Sequence, residues 1–246
     1  MKRALSIEPE ATSTEQALKK ARAEAEAEHM AGKAEATDSA FKVALNANQR
    51  WASELQNHDS SFFPTSAKGQ APSILWLGCS DSRLPETTIL GLQPGDVFSH
   101  RNIANIVSPT DISVLSVIEF AVFHLKVKHI LVCGHTSCGG VAATLANGNL
   151  GVLDIWLQPM RALREKHAAE LEKLEGNEKA TFLTRLNVHC SVGVLRGIPT
   201  VIEAMQERGM TVHGLIYHLD SGKLEEVDCD EPEDIRKTRE AVFARK

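Results

Sequence analysis

Apolar and polar positions change their spacing several times along this chain, and each change predicts an element. Phe41, Leu45, Asn48, Trp51 and Leu55 fall on one helical face, which predicts a helix turned toward a core or a partner. Ser73 to Leu77 (SILWL) is a short apolar run ended by Gly78 and reads as a first strand. A second strand begins at Val97 and Phe98. Leu115, Ile118, Val122 and Leu125 return to helical spacing. His129 to Cys133 (HILVC) is a third strand, again ended by a glycine, and a helix follows from near Cys138 to near Gly148. A long helical stretch, about 154 to 196, is interrupted around Gly176 and Asn177. Gly197-Ile198-Pro199 closes it, and another helix runs to Gly209. Thr211 to Tyr217 is a fourth strand, Asp220-Ser221-Gly222 a turn, and Leu224 to Val227 its short hairpin partner. Pro232 suits the first turn of a last helix. Apolar strands alternating with helices predict an α/β fold, a mostly parallel sheet covered by helices. In such sheets chemistry collects at the carboxyl ends of strands.

Residues 1–38 differ from the rest. They form an acidic extension rich in Ala and Glu, with Ser13 and Gln16 in capping-box spacing before the stretch Glu15 to Glu28. Little in it is large and apolar, so it reads as a helical arm outside a single domain spanning 39–246.

Composition narrows the function classes. The chain has 246 residues, 43% of them hydrophobic, which excludes a wholly disordered protein. No run approaches the roughly 18 apolar residues of a bilayer span. With 27 Lys and Arg against 32 Asp and Glu, the net charge of −5 lacks the footprint of a nucleic-acid binder. Five cysteines are too few for a disulfide scaffold. No secretory leader or retrieval motif is evident, and 1–38 are too acidic for a typical mitochondrial presequence. A cytoplasmic location is the expectation, ahead of the mitochondrial matrix.

Both segments after the central strands are chemically loaded. Cys79-Ser80-Asp81-Ser82-Arg83 follows the first, and His135-Thr136-Ser137-Cys138-Gly139-Gly140 the third. Two Cys and a His are zinc ligands, and His-x-x-Cys spacing lets both side chains reach one ion. Asp81 is the fourth candidate ligand. Residues two apart in an extended stretch point the same way, so Arg83 can fix the Asp81 carboxylate with its rigid fork. Cys133 and Cys190 read as small hydrophobes, and His213 and His218 as hydrogen-bonded strand histidines.

These motifs resemble those of the β-class carbonic anhydrases. The likeness runs from about residue 40 to 230 and includes Leu92-Gln93-Pro94-Gly95-Asp96-Val97-Phe98 and His100-Arg101-Asn102-Ile103-Ala104-Asn105. It implies a four-stranded parallel core with a further antiparallel strand. It implies one zinc on Cys79, His135 and Cys138, with Asp81 and Arg83 as a catalytic dyad. The activity implied is reversible hydration of CO2 to bicarbonate by zinc-bound hydroxide. Gln93 matches a substrate-bonding position of the family, and Trp76, Arg101 and Tyr217 match a bicarbonate pocket found in some members. In that subset the Asp also swings onto zinc at lower pH. The resemblance further implies a homodimer or homotetramer, with the helix of Phe41 and Trp51 reaching over the partner. Ile112, Val117 and Phe120 are candidates for an apolar CO2 cleft, and His100 and His189 for proton shuttles. Two other readings stay open: a hydrolase of carbonyl sulfide or carbon disulfide, and a silent bicarbonate-sensing zinc protein.

Overall fold

The structure is a computed structural model that describes residues 39–243. The extension with its Ser13–Gln16 capping box therefore lies outside the described residues. The chain divides into two compact units, one ending at Lys68 and the other beginning at Gly69.

The first unit shows helix α1 (39–58) and the short α2 (Phe62–Ser66). The helical face expected at 41–55 is present. Its apolar members are turned outward: Phe41 is 62% exposed, Leu45 48% and Trp51 45%. Trp51 meets Phe63 edge-on with ring centroids 5.9 Å apart.

The second unit is built on five strands, β1 (Ile74–Cys79), β2 (Val97–Asn102), β3 (His129–His135), β4 (Thr211–His218) and β5 (Lys223–Val227). Their order across the sheet is β2-β1-β3-β4-β5. The first four are parallel and β5 runs antiparallel to β4. The α-helices between them are α3 (Glu86–Leu90), α4 (Ile112–Glu119), α5 (Gly139–Leu145), α6 (Val152–Trp156), α7 (Gln158–Lys166), α8 (Ala168–Leu171), α9 (Gly176–Arg196) and α10 (Pro199–Arg208), and α11 (Glu233–Phe243) follows β5. The α/β class and the four-plus-one sheet read from the sequence are both present. Among the described residues no helix is long and apolar enough to cross a membrane.

One core holds the sheet together. Helix α9 buries Leu183, Thr184, Asn187, Val188, Ser191, Val192 and Leu195, a stripe at three- and four-residue spacing. Val188, Val192 and Leu195 pack with Leu75, Leu77, Ile130, Val132 and Ile216 of the strands. A second cluster, with Leu84, Ile106, Val141, Leu157, Met160 and Leu183, surrounds the buried Cys79 and Cys138. The long helical stretch read from the sequence is in fact four helices. Pro159 lies in the first turn of α7, where its missing N–H does no harm, and Gly176 begins α9 rather than interrupting a helix.

The two glycines expected to end strands lie inside them. Gly78 is within β1 and Gly134 within β3. Both are glycine because another side chain lies against the bare backbone. A Cβ on Gly134 would come 2.6 Å from Thr184 Cγ2 of α9, and one on Gly78 would come 2.1 Å from Trp76 Nε1. Trp76 is fully buried. Gly78→Ala is therefore expected to cost about 1–3 kcal/mol of stability by overpacking. For a domain of this size that is a Tm drop of roughly 2–4 °C per kcal/mol in a thermal melt. A melt matching the wild type would show that the indole has room to move.

Candidate metal centre

Carrying β1 on to Cys79 and β3 on to His135 brings the two loaded segments to the same end of adjacent strands. Gly78 is in register with Cys133, so Cys79 ends β1 one residue further on and His135 ends β3 two residues further on, at the same edge of the sheet. Beyond β3, Ser137 takes a left-handed φ of 55°, and Cys138 caps α5 with extended backbone. That reversal turns Cys138 back toward Cys79. Thr136 ties the loop to β4: its N–H donates to Tyr217 O at 3.0 Å, and its hydroxyl accepts from Leu219 N–H at 3.0 Å.

Cys79, His135 and Cys138 are all buried, and their ligand atoms lie within 4.8 Å of one another. The two sulfurs are 4.0 Å apart. A tetrahedral zinc with bonds of about 2.3 Å would set them about 3.8 Å apart. The His135 Nδ1–H donates to Thr136 O at 2.9 Å, which fixes the tautomer and leaves Nε2 with its lone pair. That Nε2 is buried and has no hydrogen-bond partner. A bare buried acceptor beside two thiols is costly unless a cation takes it. The donor set therefore fits zinc, supplying three of the four ligands of a tetrahedral ion.

The thiols reinforce this. Cys79 is pulled well below the ordinary thiol range, chiefly by the hydrogen bond from Cys138 and against the cost of burial. His135 and the N–H groups of Asp81 and Ala104 add to the lowering. Cys138 is pushed up because it holds the proton that bonds the Cys79 sulfur, and burial adds to this. The pair gives up one proton readily and the second when a cation replaces it.

Asp81 sits at the rim of this cluster. Arg83 Nε donates to Asp81 Oδ1 at 2.9 Å and Arg83 Nη2 to Oδ2 at 2.7 Å, a two-pronged fork. Arg83 N–H also donates to Oδ1, at 3.0 Å, and Nη2 reaches Ser137 O at 3.3 Å. Oδ2 lies 3.9 Å from His135 Nε2. The carboxylate expected as dyad member or fourth ligand is thus paired with Arg83 here. Arg83 holds Asp81 well below the usual carboxylate range, first through its side-chain hydrogen bonds. A lowered native pKa adds stability above the unfolded value near 3.9, and that stability is lost as pH falls below it. The Tm difference between wild type and Asp81→Asn should therefore stay level from pH 6 to 9 and shrink below about pH 4. A difference that changes between pH 6 and 9 would mean that Asp81 titrates there.

The other expected residues are scattered. Arg101 donates from Nε to Cys79 O at 2.9 Å and from Nη2 to Asp81 O at 2.5 Å, so it braces the backbone of both site residues. It stands in register with Gly78, the residue against which the Trp76 indole lies, and the Trp76 Nε1 is buried and unpartnered. Tyr217 is two strands from β1, in register with His135. Gln93 is not brought to the cluster within one protomer. It is exposed on the turn before β2, and the six residues of that strand separate it from the end where Asn102 pairs with Cys79. Ile112 and Phe120 are 78% and 44% exposed, while Val117 packs on the larger core. His100 is half-buried beside Asn102, and His189 is exposed on α9. His213 and His218 are held by Glu226 and Glu225 at 2.8 and 2.9 Å, as strand histidines should be. Cys133 is buried as expected, but Cys190 is exposed, because it falls on the outer face of α9.

Comparisons with known proteins agree with this geometry. The family described as carbonic anhydrase matches residues 74–224. A carbonic anhydrase of Emericella nidulans is 43% identical over 190 residues, covering 76% of this chain and 83% of its own. One from Candida albicans is 41% identical over 205 residues, covering 81% and 73%. The crystal structure of the β-carbonic anhydrase CafA of Aspergillus fumigatus superposes with a TM-score of 0.82 at 54% identity, covering 84% of this chain and 99% of that one. A tetrameric β-carbonic anhydrase of Sordaria macrospora gives 0.77 at 52% identity, covering 79% and 100%. With its sheet, its buried Cys–His–Cys cluster and these relatives in agreement, the chain belongs to the β-class carbonic anhydrases, a family of enzymes.

Proposed function

We propose that this chain catalyses the reversible hydration of CO2 to bicarbonate and a proton at a zinc held by Cys79, His135 and Cys138, with Asp81 and Arg83 orienting the attack. The observation that carries the reading is the Arg83 fork on Asp81 at the edge of a buried Cys–His–Cys cluster. Zinc, when bound, lowers the pKa of a water in its open position and so supplies hydroxide near neutral pH.

The residues do the rest. Arg83 takes both lone pairs of Asp81 Oδ1, through Nε and its backbone N–H, but only one of Oδ2, so Oδ2 remains an acceptor facing the cluster. A general base needs a pKa near the working pH. Asp81 lies far below it, so it accepts a hydrogen bond rather than a proton. Its work is to fix a lone pair toward CO2, which offers no charge to hold and must be met by geometry. Arg101 keeps the Cys79 and Asp81 backbone in step, so ligand and orienter move together.

The exposed apolar face of α1 and the tetrameric Sordaria relative support a homo-oligomer in which α1 covers a neighbouring subunit. A cytoplasmic site of action is part of the same reading. Stopped-flow CO2 hydration with zinc measured in the same sample tests it. One zinc per chain with fast hydration supports it. One zinc per chain without hydration at any pH from about 6.5 to 9 would overturn it, and sulfide release from carbonyl sulfide or carbon disulfide would then be the next assay.

A further inference from the structure

The turn Ile103–Asn105 lies between the two cysteine-bearing segments and is unusual in its backbone. Ala104 has φ 63° and Asn105 φ 46°, two successive left-handed residues without a glycine. Such conformations cost energy and persist only where the surroundings fix them. Three side chains do so here. Asn102 brackets the turn, its Oδ1 accepting from Ile106 N–H at 2.8 Å and its Nδ2 donating to Ile106 O at 2.9 Å. The Trp156 indole N–H donates to Ile103 O at 2.8 Å. Asn187 Nδ2, from α9, donates to Ala104 O at 2.8 Å, and Asn187 is 3% exposed.

Ala104 itself touches both halves of the cluster. It packs in one buried cluster with Cys79 and Cys138. On its other side, a Cβ on Gly140, two residues past Cys138, would come 2.9 Å from Ala104 Cβ. Ala104 is fully buried, a wedge with Cys79 on one flank and the first turn of α5 on the other.

We propose that Asn187 is a positioning residue of the metal centre: by holding the Ala104 carbonyl it keeps this wedge seated and so sets the separation of Cys79 and Cys138. Asn187 is anchored for the purpose, since its neighbours Leu183, Val188 and Ser191 are buried on the same stripe of α9. Without its amide, Ala104 O is left buried and unpaired, and the left-handed pair is free to relax. The wedge then shifts away from Cys79 and Gly140. Groups that fix metal ligands from outside the ligand set typically contribute ten- to a hundredfold in metal affinity.

The inference rests on the zinc reading above, and the test separates the two. Wild type, Asn187→Leu and Trp156→Phe are compared by chelator competition for zinc, by the thiolate-to-cobalt absorption of cobalt-loaded protein, and by melting with and without zinc. A wild type that binds no zinc would remove the zinc reading and this inference with it. Given a zinc-binding wild type, Asn187→Leu is expected to weaken zinc binding by roughly 10- to 100-fold and alter the cobalt band. Its zinc-loaded melting point should fall more than its metal-free one. Equal falls in both, with zinc affinity and cobalt band unchanged, would leave Asn187 a purely structural residue and overturn the proposal. Should Asn187→Leu fail to fold, Trp156→Phe decides: severalfold weaker zinc binding supports the wedge, and binding within about twofold of wild type refutes it.

Discussion

Asp81→Asn is expected to retain one zinc per chain and to lose CO2 hydration by on the order of 10²-fold in kcat/KM. The amide has the shape of the carboxylate but replaces one acceptor oxygen with a donor. It also carries no charge for the Arg83 fork, which now grips both oxygens at 2.9 and 2.7 Å. Cys79, His135 and Cys138 are untouched, so metal content should not change. The two readouts together make the test sharp. Loss of zinc along with activity would make Asp81 a ligand rather than an orienter. Full activity would remove the dyad from the mechanism.

Cys138→Ala should have a larger effect still. It removes one of the two sulfurs that stand 4.0 Å apart and leaves His135 Nε2 facing a single thiol. Structural and catalytic zinc sites of this kind draw their affinity from thiolate charge, so the purified variant should hold well under one zinc per chain. Hydration should fall to the uncatalysed rate. Cys190→Ala is the matched control, a cysteine removed from the exposed face of α9, and it should keep both zinc and rate. Metal analysis and stopped-flow assay on the two variants decide the matter. Zinc retained at full occupancy in Cys138→Ala would mean that the cluster is not the metal site.

The buried Cys–His–Cys cluster and the Asp81–Arg83 pair could be read in the sequence because each lies in a short motif directly after an apolar run. Strand-end chemistry in a parallel sheet is a property of topology, and topology follows from the alternation of strands and helices. Gly78 and Gly134 were misleading for a definite reason. Their role is set by Trp76 and by Thr184 of α9, contacts that no local pattern announces. Gln93 sits in a conspicuous Gln-Pro-Gly turn, but the parallel direction of β2 puts that turn at the opposite end of the strand from Cys79. The left-handed pair at Ala104 and Asn105 left no trace, since neither residue is a glycine. Asn187 did leave one: a polar amide on a helix stripe otherwise formed largely by Leu and Val.

The distance along the chain between the two cysteines bears on how the cluster comes into being. Cys79 and Cys138 are 59 positions apart, and all of β2 and α4 lie between them. During synthesis, Cys79 emerges with no partner thiol in place, and β2, its first neighbour in the sheet, brings none. Its companions arrive only when β3 is made and slots in on the other side of β1. On the zinc reading proposed above, a newly made chain is therefore expected to capture its metal only after β1 has paired with β3.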